Sequence, residues 1–61
     1  MNEERAREIL AKAIQPDGSL YDLGHYLNWD KGSGEITLDD GFAIEELEAI
    51  VWWVLNQQTK P

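Results

Sequence analysis

Apolar residues recur at helical spacing near both ends of the chain, while the pattern between them is ambiguous. Ala6, Ile9, Leu10, Ala13 and Ile14 fall on one stripe, which predicts an amphipathic helix over 3–15. Asn2 is placed to cap it, and Glu3 and Glu4 suit the positive end of its dipole. Glu3–Arg7 and Glu8–Lys12 stand four apart with the acid first, so they can pair along the exposed face. Pro16 ends the helix and Asp17-Gly18 turns the chain. At the other end, Ile44, Leu47, Ile50, Val51 and Val54 predict a helix over 44–57, with Glu45 and Glu46 in its first turn and a polar, frayed tail over 58–61.

The middle supports two periods. Leu20, Leu23 and Leu27 have helical spacing, and Ser19 followed by Asp22 resembles a helix cap. Tyr21, Leu23, His25, Leu27 and Trp29 alternate as a strand would, and Gly24 weakens either pattern. The leucine spacing together with the cap favours a short helix over 19–29. Gly32, Ser33 and Gly34 mark a loop at 30–34, and Ile36 and Leu38 then share one face of a strand. Asp40-Gly41 is a hairpin signal, with Phe42 starting a brief return strand, so 35–42 reads as a two-stranded ribbon. The expected fold is a single, mostly helical α+β domain over 1–61, with three helices and a small ribbon before the last. Ile9, Leu10, Ile14, Leu20, Leu23, Leu27, Ile36, Leu38, Phe42, Leu47, Ile50, Val51 and Val54 are its expected core.

Size and composition narrow what such a domain can do. A chain of 61 residues buries only ~60% of the surface it exposes when unfolded. It has no cysteine, which excludes disulfides and cysteine-ligated zinc, and its hydrophobic fraction of 43% is too high for a disordered tail. No apolar run approaches the ~18 residues of a membrane span. The sequence MNEERAREIL lacks the apolar core of a signal peptide, so a cytoplasmic location is expected. The net charge is −7, concentrated in residues 17–48, where nine acids accompany the single base Lys31. That segment repels nucleic acid and anionic lipid, and it favours a basic partner.

DKGSGEITLDD, residues 30–40, resembles a calcium loop. Gly34 and Ile36 suit the turn glycine and the apolar position after it. In that register the first ligand position falls on Trp29, the third on Lys31 and the last on Asp40, so too few oxygens are available for calcium's six to eight. No metal or cofactor is expected, and a degenerate calcium-responsive module remains an alternative. His25 is the single histidine; Ser19 and Asp22 lie near it in sequence, but the expected short helix would crowd all three. A local Asp22–His25 hydrogen bond fits better than catalysis. Nucleophile elbows, phosphate-binding glycine loops and zinc spacings are absent, and no enzyme activity is expected.

Three Trp, two Tyr and one Phe are many rings for so short a chain. Taking Leu47 as the core direction of the last helix, Trp52 and Trp53 lie on opposite flanks. Either the domain surrounds that helix on three sides or an indole faces out. In the second case Tyr26, Trp29, Trp52 and Trp53 supply apolar anchors for a protein partner, with Asp39, Asp40, Glu45, Glu46 and Glu48 as an acidic rim. The same surface would serve a homodimer through the last helix. Mimicry of nucleic acid, blocking a DNA-binding protein, is the remaining alternative.

The stretches LYDLGHYLNW, TLDDGF and EELEAIVWW together resemble a group of very short proteins from bacteriophage and prophage genomes. The resemblance spans residues 19–53, and the Trp52-Trp53 pair after EELEAI is its most particular feature. It carries no catalytic residues across. It implies a bacterial or phage origin and an accessory role directed at a host protein.

Overall fold

The computed structural model describes residues 1–39 and 41–58. Among these, the chain forms helix α1 (Glu3–Leu10), strands β1 (Leu20–Tyr21), β2 (Leu27–Trp29) and β3 (Ile36–Leu38), and helix α2 (Ile44–Gln58). The strands make one antiparallel sheet in the order β1-β2-β3. The domain is therefore α+β, but with two helices and a three-stranded sheet rather than three helices and a two-stranded ribbon. None of the helices is long and apolar enough to cross a membrane among the described residues.

α1 begins as expected. The Asn2 side chain accepts from the Arg5 N–H at 2.8 Å, and Arg7 pairs with Glu3 at 2.9 Å. The helix ends at Leu10 rather than 15. Pro16 disfavours helical backbone at the residue before it, and residues 13–15 turn outward to pair with the next segment. The Gln15 N–H donates to the Ser19 carbonyl (2.8 Å), and the Tyr21 N–H donates to the Ala13 carbonyl (2.9 Å). This covers the outer edge of β1. Glu8 pairs with Arg5, three residues back at 2.7 Å, and not with Lys12 as the spacing suggested.

The 19–29 segment is a hairpin, not a helix. Leu20 pairs with Trp29 and Tyr21 with Asn28. The connection needs left-handed backbone at two positions, Asp22 (φ 58°) and Gly24 (φ 89°), which no continuing helix tolerates. The helical spacing of Leu20 and Leu27 was coincidental: both face the core from neighbouring strands. β3 pairs with β2, Ile36 against Trp29 and Leu38 against Leu27, so the expected return strand at Phe42 does not form. The proposed turn at Asp40-Gly41 includes a residue outside the described ones, as does most of the 58–61 tail; Gln58 is still within α2.

Both helices pack on one face of the sheet. The core holds Ala6, Leu10, Ala13, Leu20, Leu27, Trp29, Ala49, Ile50 and Trp53. Burying a large aliphatic side chain of this kind stabilises by roughly 1.5–3 kcal/mol. The outer face, carrying Tyr21, Asn28 and Thr37, is exposed. α2 is rotated about a third of a turn from its expected orientation. Its core direction is Ile50 and Trp53, and Leu47 lies on the flank while Val51 is exposed.

Trp53 ties three segments together. Its indole Nε1 donates to the Gly18 carbonyl at 2.8 Å, and the Arg7 guanidinium lies 5.0 Å from its ring centre. The turn it holds is internally bonded: the Gly18 N–H donates to the Gln15 carbonyl, and the Ser19 N–H donates to the Asp17 carboxylate. The Ser19 backbone donation, joined by its hydroxyl, holds the Asp17 carboxyl below its ordinary 3.8. A depressed folded-state pKa contributes stability in full above the unfolded value and loses it as pH falls through the folded one. Asp17→Asn is thus expected to melt below wild type at neutral pH, with the two curves converging below about pH 3.8 in a series of thermal melts.

Candidate functional site

The features that suggested chemistry are occupied by local structure. The Asp30 carboxylate accepts from the Gly32 N–H (2.9 Å) and the Asp30 carbonyl from the Gly34 N–H (2.8 Å), so the 30–34 loop closes on its own backbone donors. Among the described residues, no three His, Asp or Glu side chains converge as a metal site. The Asp22 carboxylate accepts from the Gly24 N–H rather than from His25. His25 is half-buried, edge-on to Phe42 with ring centres 5.0 Å apart. Ser19 Oγ accepts from the Lys31 N–H and donates to Asp17. Ser19, Asp22 and His25 are each committed to a different partner.

The expected binding residues divide. Trp29 and Trp53 are fully buried and cannot anchor a partner. Their rings are large enough to fill the space between a two-residue strand, a three-residue strand and two helices. Tyr26 is exposed next to β2, where strand alternation sets it on the outer face, away from α2. Trp52 is half-buried, tilted against Trp53 with ring centres 6.4 Å apart. Among the acids, Glu45 is held by Arg5, and Glu45 and Glu8 together raise the pKa of that arginine. Glu46 reaches back to the Ala43 N–H at 2.8 Å, completing one half of a capping box for α2. Asp39 and Glu48 are exposed, and Asp40 lies outside the described residues.

What remains on the surface is an apolar tract. Ile36, Leu38, Ile44, Val51 and Leu55 are between 41% and 76% exposed. Ile36 and Leu38 lie opposite the buried Trp29 and Leu27, so they face the helix layer. The helices cover β3 only in part. A groove of about 210 Å³ runs between the two, walled by Ile36 and Leu38 on one side and by Leu47, Val51, Val54 and Leu55 on the other. A second shallow depression continues along α2 past Ile44, Leu47 and Val51 to Trp52, with Glu48 at its border.

No family model, curated protein or solved structure matches the chain.

Among the described residues, no further strand pairs with the sheet edge beside this groove. The Asp39 N–H donates to the Tyr26 carbonyl and the Asp30 N–H to the Glu35 carbonyl. By the alternation of an antiparallel ladder, Thr37 then faces β2, and the backbone groups of Ile36 and Leu38 point away from it. Sequence reasoning assigned Ile36, Leu38 and Val51 to the core and did not single out Leu55. The signal for their exposure was present: α2 is apolar around most of its circumference, more than one neighbour can cover.

Proposed function

We propose that this chain is a small, non-catalytic accessory or regulatory protein that docks on another protein through the apolar tract of α2 and β3. The observation that carries this is the groove itself. A domain this small needs its aliphatic side chains for its own core, yet five large ones stand together on the surface. Contiguous exposed apolar surface with a polar border is the mark of an interaction site. Trp52 is the aromatic at its edge. The resemblance to phage and prophage proteins supports a cytoplasmic host protein as target. Mimicry of nucleic acid has less support, because Asp17, Asp22, Asp30 and Glu46 are tied to separate turns and a helix start rather than aligned on one element.

The test compares affinity capture by wild type, by Val51→Glu in the groove and by Thr37→Glu on the opposite sheet face. A protein retained by wild type and by Thr37→Glu, but lost by Val51→Glu, is the expected result. Identical recovery by all three overturns the reading. Both variants should keep wild-type stability within about 0.5 kcal/mol, since both positions are exposed.

A further inference from the structure

Resting on that docking surface, we infer that the groove takes a basic amphipathic helix from the partner, laid beside α2 over the partly covered inner face of β3. Two observations lead there, one from shape and one from charge.

The sheet's inner face is roofed by helices, and the roof is incomplete. α1 is tied to one flank of α2 by the Arg5–Glu45 ion pair and by Arg7 over Trp53. On the opposite flank, among the described residues, Leu47, Val51, Val54 and Leu55 have no neighbouring helix, and Ile36 and Leu38 below them are only partly covered. A helix placed there meets apolar side chains from its side and from beneath, the environment of any helix packed on a sheet. Its contact residues would recur at helical spacing. An added strand on the edge of β3 is the poorer fit. β3 is three residues long and bracketed by Glu35 and Asp39, features that blunt a strand edge. Such a strand would also leave the flank of α2 bare.

Charge then separates a foreign helix from a second copy of this chain. Glu48, exposed, borders the adjoining depression on α2; Glu35 and Asp39, also exposed, close the two ends of β3 with side chains that alternate to the outer face. Among the described residues no Lys or Arg lines either depression, and α2 contains none. The described cations lie elsewhere: Arg5 and Arg7 are paired on α1, Lys12 follows that helix, and Lys31 reaches toward the Gly18 turn. Self-association would bring together two chains of net charge −7, each with Glu48 at the border of the contact. A helix with an aliphatic stripe flanked by Lys or Arg meets apolar walls along the stripe and Glu48 beside it.

The probe is a synthetic helix of about 14 residues, roughly four turns, with leucines on one stripe and lysines flanking it. A counterpart with glutamates for the lysines is the control. Binding is followed by backbone amide shifts of the full chain, and oligomeric state by sedimentation. The inference expects the lysine helix to shift residues 36–38 and 47–55, the glutamate helix to shift none, and the chain to be monomeric. Val51→Glu provides the sharpest contrast. Its added negative charge would strengthen a merely electrostatic contact, whereas it should weaken apolar docking by about tenfold or more. Glu48→Gln should weaken binding and reduce its salt dependence. Equal binding of both helices, tighter binding to Val51→Glu, shifts elsewhere, or a dimer dissociated by Val51→Glu would each overturn the inference. If the lysine helix fails while Val51→Glu still loses a captured protein, the docking face stands and only its occupant is wrong.

Discussion

Trp53→Ala is expected to leave the chain unfolded at room temperature. Removing a buried aromatic from a core costs about 3–5 kcal/mol. A single core in a chain of this size rarely supplies more than about 3–5 kcal/mol in total. Trp53 is 2% exposed, and its loss also frees the Gly18 turn, because the indole N–H is the contact from α2 to that carbonyl. The effect should therefore reach beyond the cavity to the pairing of residues 13–15 with 19–21. Far-UV circular dichroism should show loss of both helix and sheet together. Trp52→Ala, one residue earlier and only half-buried, should remain folded with a lower melting midpoint. Similar midpoints for the two variants would mean that burial and the Gly18 hydrogen bond do not set the difference between the paired tryptophans.

Ala49→Leu should destabilise the protein by about 1–3 kcal/mol although it adds apolar surface. Ala6, Ala13 and Ala49 are all completely buried, so extra methylenes there must displace packed neighbours. Leucine in place of Val51, two residues on and exposed, should leave stability within about 0.5 kcal/mol of wild type. Chemical denaturation of the two variants gives the comparison directly. An Ala49→Leu protein as stable as wild type would show that α1 and α2 are not in close contact through small residues. Both predictions reverse what hydrophobicity alone suggests. The alanines contribute by being small, and the exposed Val51 and Leu55 on the outer flank of α2 contribute little to folding. That division makes the flank available for docking without weakening the domain.

The site was legible in part. Its acidic charge and its surplus of apolar residues on α2 could be read from the chain, and so could the choice between a helix surrounded on three sides and an indole facing out. Which indole enters the core could not. Trp52 and Trp53 flank Leu47 almost symmetrically, and a rotation of the helix by a third of a turn brings Trp53 into the core and leaves Trp52 half-buried. Taking Leu47 as the centre favoured neither. The buried alanines on both helices instead set the centre near Ile50 and Trp53. Glu45 and Glu46 were read as rim charges, but their side chains serve Arg5 and the Ala43 N–H. The Arg5 partner lies 40 positions from Glu45 and becomes visible only in the tertiary structure, whereas the Glu46 cap is local, three residues from Ala43.

By itself the sequence determined the local elements whose causes are local. The Asn2 cap, the Glu3–Arg7 pair, the turn at Asp17-Gly18, the strand at Ile36–Leu38 and the helix beginning at Ile44 each depend on a few neighbouring residues. The tertiary structure decided everything that depends on distant partners. It shortened α1 because residues 13–15 found strand partners, and it made 19–29 a hairpin because Leu20, Leu27 and Trp29 pack better from two strands than from one helix. It also left β3 half-covered. A period in the sequence says which residues share a face, but only the positions of the neighbouring elements determine whether that face is covered.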